Sequence, residues 1–166
     1  IILCETSHPG NIGSVARAMK TMGFYDLYLV NPKNFPSKQA QILACGAEDI
    51  LRKATVVKSL ELALKNINHT IGFTARKREL TQPHKNVREL SKQLINEAGN
   101  NKIAIIFGNE TNGLSNLELQ HCQSLGYIDA NSKYSSLNLA QAVQIVCHEI
   151  RMLSEFPLKN KILEQT

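Results

Sequence analysis

The stretch Ile103-Ala104-Ile105-Ile106-Phe107-Gly108-Asn109-Glu110-Thr111-Asn112-Gly113-Leu114 decides the reading of the fold. Five consecutive apolar residues, three of them isoleucine, leave no polar face and so predict a strand covered on both sides, as in a parallel sheet. The strand ends in a carboxylate, Glu110, set between two glycines. Ligands of open α/β sheets gather at the carboxyl ends of strands, so this loop is the first candidate site. Glu110 is not required as a cap for the next helix, because Ser115 and Glu118 already have the spacing of a capping box.

Outward from this strand, short apolar runs alternate with helical patterns along the whole chain, which predicts α/β architecture with an open, mostly parallel sheet flanked by helices. Strands are predicted at 1–4, 27–30, 55–57, 70–74, 103–107 and 127–130. Helices are predicted at 14–22, where Gly23 follows, and at 60–64, 87–98, 117–122 and 139–153. Residues 33–47 read as loop with at most a helical turn. A catalytic domain over 1–156 and the start of a linker or C-terminal extension over 157–166 are expected.

The 166 residues are 43% hydrophobic and 20% charged, enough for one core and too apolar for a disordered chain. No apolar run approaches the ~20 residues of a membrane span, so no membrane partner is expected. Cys4, Cys45, Cys122 and Cys147 are widely separated and form no C-x-x-C pair. They read as reduced, mostly buried thiols, with neither a zinc site nor a disulfide framework, and no metal is expected. With no secretory pattern at Ile1, a cytoplasmic location is expected, and the missing initiator methionine reads as part of a longer protein. The net charge of +5 is compatible with a polyanionic partner without naming one.

Three further loops carry chemistry. The run Glu5-Thr6-Ser7-His8-Pro9-Gly10-Asn11-Ile12-Gly13 reads as a tight turn into a helix whose free N–H groups form an anion site, with Arg17 one turn inside. It matches neither a P-loop nor G-x-G-x-x-G. The run Gly72-Phe73-Thr74-Ala75-Arg76-Lys77-Arg78 places three cations just past a strand, where they suit RNA phosphates. The run Tyr134-Ser135-Ser136-Leu137-Asn138-Leu139 offers hydroxyls and an amide at a helix start, where Ser135 or Ser136 reads as the cap.

Asn11-Ile12-Gly13 through Arg17, then Ile106 through Leu114, then Ser136-Leu137-Asn138-Leu139-Ala140 resemble, in order, the three motifs of the SPOUT (SpoU/TrmH-like) RNA 2′-O-ribose methyltransferases. Glu5-Thr6-Ser7-His8, Thr74-Ala75-Arg76 and the 134–139 string resemble its TrmJ branch. The resemblance implies a C-terminal trefoil knot, a homodimer, S-adenosylmethionine as cofactor and tRNA as partner, with no DNA. The implied target is the ribose of cytidine or uridine at anticodon-loop position 32. It implies cofactor contacts at Phe73, Thr74, Ala75, Gly108, Ile128, Ser135, Ser136 and Leu137, and catalytic or RNA-binding roles for Arg17, Arg76, Arg78 and Ser136. Asn11, Glu110 and Asn138 are implied as supporting residues. Similar chains often carry arginine where Asn109 stands, which leaves a substrate contact at that position open. Two alternatives also stay open: a 2′-O-methyltransferase for rRNA or another tRNA site, and a knotted RNA-binding module without activity.

Overall fold

A computed structural model describes residues 1–75, 82–99 and 101–164. The sheet is built from β1 (Ile2–Cys4), β2 (Tyr28–Val30), β3 (Thr55–Val57), β4 (His69–Phe73), β5 (His84–Asn86), β6 (Ile103–Phe107) and β7 (Ser124–Tyr127). Their order is β3-β2-β1-β6-β4-β7-β5, and every pairing is parallel. The helices are α1 (Pro9–Thr21), α2 (Lys38–Ala44), α3 (Glu48–Lys53), α4 (Leu60–Ala63), α5 (Val87–Glu97), α6 (Asn116–Gln120) and α7 (Leu139–Glu164).

The two-residue period of the strands divides the core into two layers. Leu3, Ile105 and Phe107 face the layer formed with α1, α2, α3, α5 and α7, where Val15, Met19, Ile50, Leu90 and Val146 are buried. Ile2, Cys4, Ala104 and Ile106 face the other way, against Leu60 of α4 and Leu119 of α6. β6 lies fourth of the seven strands and pairs with β1 and β4, which accounts for its continuous apolar run.

The misplaced start of α1 has one cause: the glycines read as a turn are packing positions inside the helix. α1 begins at Pro9, in the first-turn position that proline favours, so Gly10, Asn11 and Gly13 lie inside the helix and not in a turn before it. A Cβ on Gly13 would stand 2.0 Å from the Ala40 carbonyl oxygen, so this glycine lets α2 approach the backbone of α1. α2 itself stands in the segment read as loop, capped by Ser37, whose Oγ accepts from the Ala40 N–H at 3.1 Å. The last-read strand, expected at 127–130, is β7 at Ser124–Tyr127, and it includes Gly126, where a Cβ would meet the Phe73 ring at 2.7 Å and Leu90 at 2.8 Å. α3 and β5 were not expected, being short and largely polar. α7 continues past residue 153 to Glu164, beyond the expected helix end and through Pro157, where a proline forfeits a helical hydrogen bond.

Gly13→Ala is expected to force α1 and α2 apart and to lower stability by about 3 kcal/mol, read as a shift in the urea unfolding midpoint.

Candidate active site

A cleft of about 410 Å³ opens at the carboxyl ends of β4, β6 and β7. β1 and β6 are neighbours, yet the chain leaves β1 toward β2 on one side and leaves β6 toward β7 on the other. The cleft therefore lies by the switch point of the sheet, where adjacent connections diverge and leave room above the strand ends. Phe73, Thr74 and Ala75 line it from the end of β4, Gly108 from the end of β6, and Ile128 from just past β7. Ser135, Ser136 and Leu137 line it from the segment leading into α7, and Asn11, Glu110 and Asn138 complete the set named from the sequence. Arg17 does not line the cleft; it is exposed on α1. Arg76 and Arg78, expected as catalytic or RNA-binding residues, lie outside the described residues.

The wall contributed by β6 is mainly backbone. Gly113 is in the left-handed region at φ +67° and its N–H donates to the Asn109 carbonyl at 2.8 Å, folding 109–113 back on itself. A Cβ on Gly108 would lie 2.1 Å from the Gly113 carbonyl carbon, so only glycine permits this fold. Beneath it, Phe73 and Phe107 are register partners on β4 and β6, and their rings stack with centroids 5.5 Å apart.

Glu110 has a definite partner set. Its Oε1 accepts from the Ser7 N–H at 2.8 Å, and its Oε2 accepts from the His8 N–H at 2.8 Å and from Asn11 Nδ2 at 3.0 Å. The start of α1 is thus occupied by a carboxylate from more than a hundred residues away, and it is not the free anion site expected from the sequence. The favourable end of the helix dipole faces that charge. Burial opposes ionisation of Glu110, and the hydrogen bonds from Ser7, His8 and Asn11 outweigh it, holding the carboxyl below its ordinary range.

The helix caps around the cleft differ in part from the expected ones. Ser115 and Glu118 form the capping box of α6. The start of α7 is capped by Asn138, whose Oδ1 accepts from the Ala140 N–H at 2.9 Å, rather than by Ser135 or Ser136. That leaves the two serine side chains at the cleft wall. Sequence reasoning missed Phe107, Thr111, Gly113, Leu139 and Ala142 as lining residues. Leu139 and Ala142 stand three apart in the first turn of α7, a spacing that could have marked a shared face. Among the described residues, no group of three or more His, Cys, Asp or Glu is gathered for a metal ion, and no helix is long and apolar enough to cross a membrane.

Comparison with known proteins places this arrangement. The profile of the SpoU rRNA Methylase family matches residues 1–148. The chain belongs to that family. Among curated SpoU-type relatives, "tRNA (cytidine/uridine-2′-O-)-methyltransferase TrmJ" of Pectobacterium atrosepticum is 51% identical over 152 residues, covering 92% of this chain and 63% of the relative. The chain thus spans somewhat less than two thirds of that protein's length. Among solved structures, a probable methylase family protein from Haemophilus influenzae superposes with a TM-score of 0.88 at 47% identity, over 96% of this chain and 66% of that one. TrmJ from Zymomonas mobilis, "Z. mobilis ZM4", superposes with a TM-score of 0.86 at 33% identity, over 91% and 67%.

The Glu110 tie makes a pH prediction for this family member. Its carboxyl is depressed in the fold, so the stability it contributes is complete above the unfolded glutamate pKa of ~4.3 and is lost as pH falls through the lower folded value. Glu110→Gln, which turns an amide NH₂ or a neutral oxygen toward three donors, is expected to cost about 2 kcal/mol at pH 7. The gap from the natural protein should close on acidification, as measured by denaturant unfolding across pH 3 to 7.

Proposed function

We propose that the chain is the S-adenosylmethionine-dependent catalytic region of a tRNA 2′-O-ribose methyltransferase acting at cytidine or uridine of anticodon-loop position 32. The observation that carries this reading is that one cleft gathers side chains from the motif segments after β4, β6 and β7 and before α7. A volume of about 410 Å³ lies in the range of small-ligand sites. Ile128, Leu137 and Leu139 offer apolar surface suited to an adenine ring, while Thr74 and Ser135 offer hydroxyls suited to ribose and amino-acid groups. The carboxylate of Glu110 at the wall gives the cleft a negative charge compatible with a sulfonium cation.

When bound, S-adenosylmethionine supplies an electrophilic methyl group for in-line displacement by a ribose 2′-oxygen. The contribution asked of the chain is alignment, exclusion of water and stabilisation of charge at that oxygen. Ser136 lines the cleft and is the candidate to orient the 2′-hydroxyl. A guanidinium is a poor proton acceptor and a good donor to anions, so the role of Arg17 is to stabilise the developing alkoxide and hold a neighbouring phosphate, not to act as base. Its exposure on α1, outside the cleft, is compatible with an RNA-side role. Arg76 and Arg78 join this proposal as RNA contacts. So do the homodimer, the trefoil threading of the C-terminal segment, the cytoplasmic location and the division between a catalytic domain over 1–156 and an extension beyond it.

Two measurements on the full-length protein test the reading. Isothermal titration with S-adenosylmethionine should give saturable binding, and its absence would defeat the proposal. Arg17→Ala should reduce methyl transfer to a tRNA transcript by about a hundredfold, with cofactor affinity within about twofold of natural; equal loss of both would remove Arg17 from the RNA side. Mapping the product's 2′-O-methyl groups separates position 32 from other tRNA or rRNA targets.

A further inference from the structure

Asn109 also lines the cleft, yet every hydrogen-bonding position of its amide is engaged within the protein. Nδ2 donates to the Glu5 carbonyl and to Ser7 Oγ, both at 2.8 Å. Oδ1 accepts from the Thr111 N–H at 2.9 Å and the Asn112 N–H at 3.3 Å. A primary amide has two donors and two acceptor positions, so no valence remains for a substrate or cofactor. The two ends of the amide have different tasks: the oxygen shapes the 109–113 turn on the cleft wall, and the nitrogen holds the turn between β1 and α1.

The held turn is costly in isolation. Glu5 sits in the left-handed region at φ +52°, without the freedom of glycine. Thr6 is buried and its Oγ1 has no hydrogen-bond partner among the described residues. Such conformations persist where neighbouring contacts over-determine them. Those contacts are the Glu5 N–H to the Val30 carbonyl at 2.8 Å, the Glu110 carboxylate at Ser7 and His8, and the Asn109 amide at Glu5 and Ser7.

We propose that Asn109 is a positioning residue for the transfer reaction: its NH₂ group latches the β1–α1 turn to the β6 loop and so fixes the helix carrying Arg17 relative to the cleft. This rests on the proposed methyl transfer, and the residue acts through the turn, since its amide has no hydrogen bond left to give to cofactor or RNA. Asn109→Asp separates its two tasks, because the carboxylate keeps both acceptor positions toward Thr111 and Asn112 and loses both donors. It also adds negative charge facing the Glu5 carbonyl and beside Glu110, with Glu5 and His8 as the other titratable groups on the turn.

The test uses the full-length protein and reads the turn and the reaction separately. In Asn109→Asp, amide hydrogen exchange at residues 5–12 should accelerate about tenfold or more. kcat for tRNA methylation should fall about tenfold, while KM for S-adenosylmethionine stays within about twofold. In Asn109→Ala, which loses both tasks, KM for the cofactor should rise as well. Ser7→Ala removes one end of the latch from the other side and should reproduce the exchange effect in milder form if Asn109→Asp does not fold. Unchanged exchange at 5–12 in folded Asn109→Asp, or a loss confined to the cofactor KM, overturns the latch. An inactive natural protein whose exchange at 5–12 still responds to Asn109→Asp defeats the proposed function and leaves the latch standing.

Discussion

The structure around the cleft depends on one carboxylate meeting one helix start. Glu110 closes off the N–H groups of Ser7 and His8 and the amide of Asn11, and in doing so joins the first strand-to-helix turn to the loop after β6. β1 and β6 are adjacent in the sheet, so the two loops emerge side by side. Without a counter-charge, the N–H groups of Ser7 and His8, just ahead of α1, would be unpaired donors at the edge of a partly buried cleft. With it, the donors are satisfied, the helix dipole is balanced, and the glycine-bounded loop has a fixed point from which to fold back through Gly113.

That arrangement explains why the cleft wall can consist so largely of backbone. A side chain on Gly108 would collide with Gly113, so the loop must pass over itself with no Cβ between its limbs. Close approach of this kind is stable only if both limbs are held from outside. Asn109 and Glu110 reach back to the β1 turn, and Leu114 is buried in the layer that contains Ile106 and Leu125. The turn residues therefore gain their rigidity from the sheet core on one side and from α1 on the other. A site on such loops can be as well defined as one on regular elements.

Much of this was legible in the sequence, for identifiable reasons. The apolar run at 103–107 reported β6 directly because a strand paired on both edges and covered on both faces has no polar positions to obscure its period. Ser115 and Glu118 reported the start of α6 because a capping box is local chemistry. The start of α1 was misread because Gly10 and Gly13 have their reasons in α2, some thirty residues away, and no local rule distinguishes a glycine that turns the chain from one that admits a neighbour. Gly126 within β7 is the same case, and α2 was hidden because only Ala40 and Ala44 of it are buried. For the site, Glu110 was visible as a carboxylate that the next helix did not need, but its partner lay at the opposite end of the chain.

The distribution of charge follows from the same geometry. Within the cleft, the described lining contains one ionised side chain, Glu110, whose hydrogen bonds run to the protein itself. The rest of the described lining offers apolar contact and neutral hydrogen-bonding groups. Arg17 is presented on the exposed side of α1, where a polyanion can reach it without entering the cleft. Keeping the Arg17 guanidinium away from the Glu110 carboxylate has a physical advantage: drawn into that carboxylate, it would compete with the N–H donors ahead of α1 and would itself be lost to phosphate. The tie at Glu110 therefore divides the molecule into a cleft whose charge is internally committed and an outer helix whose charge remains available.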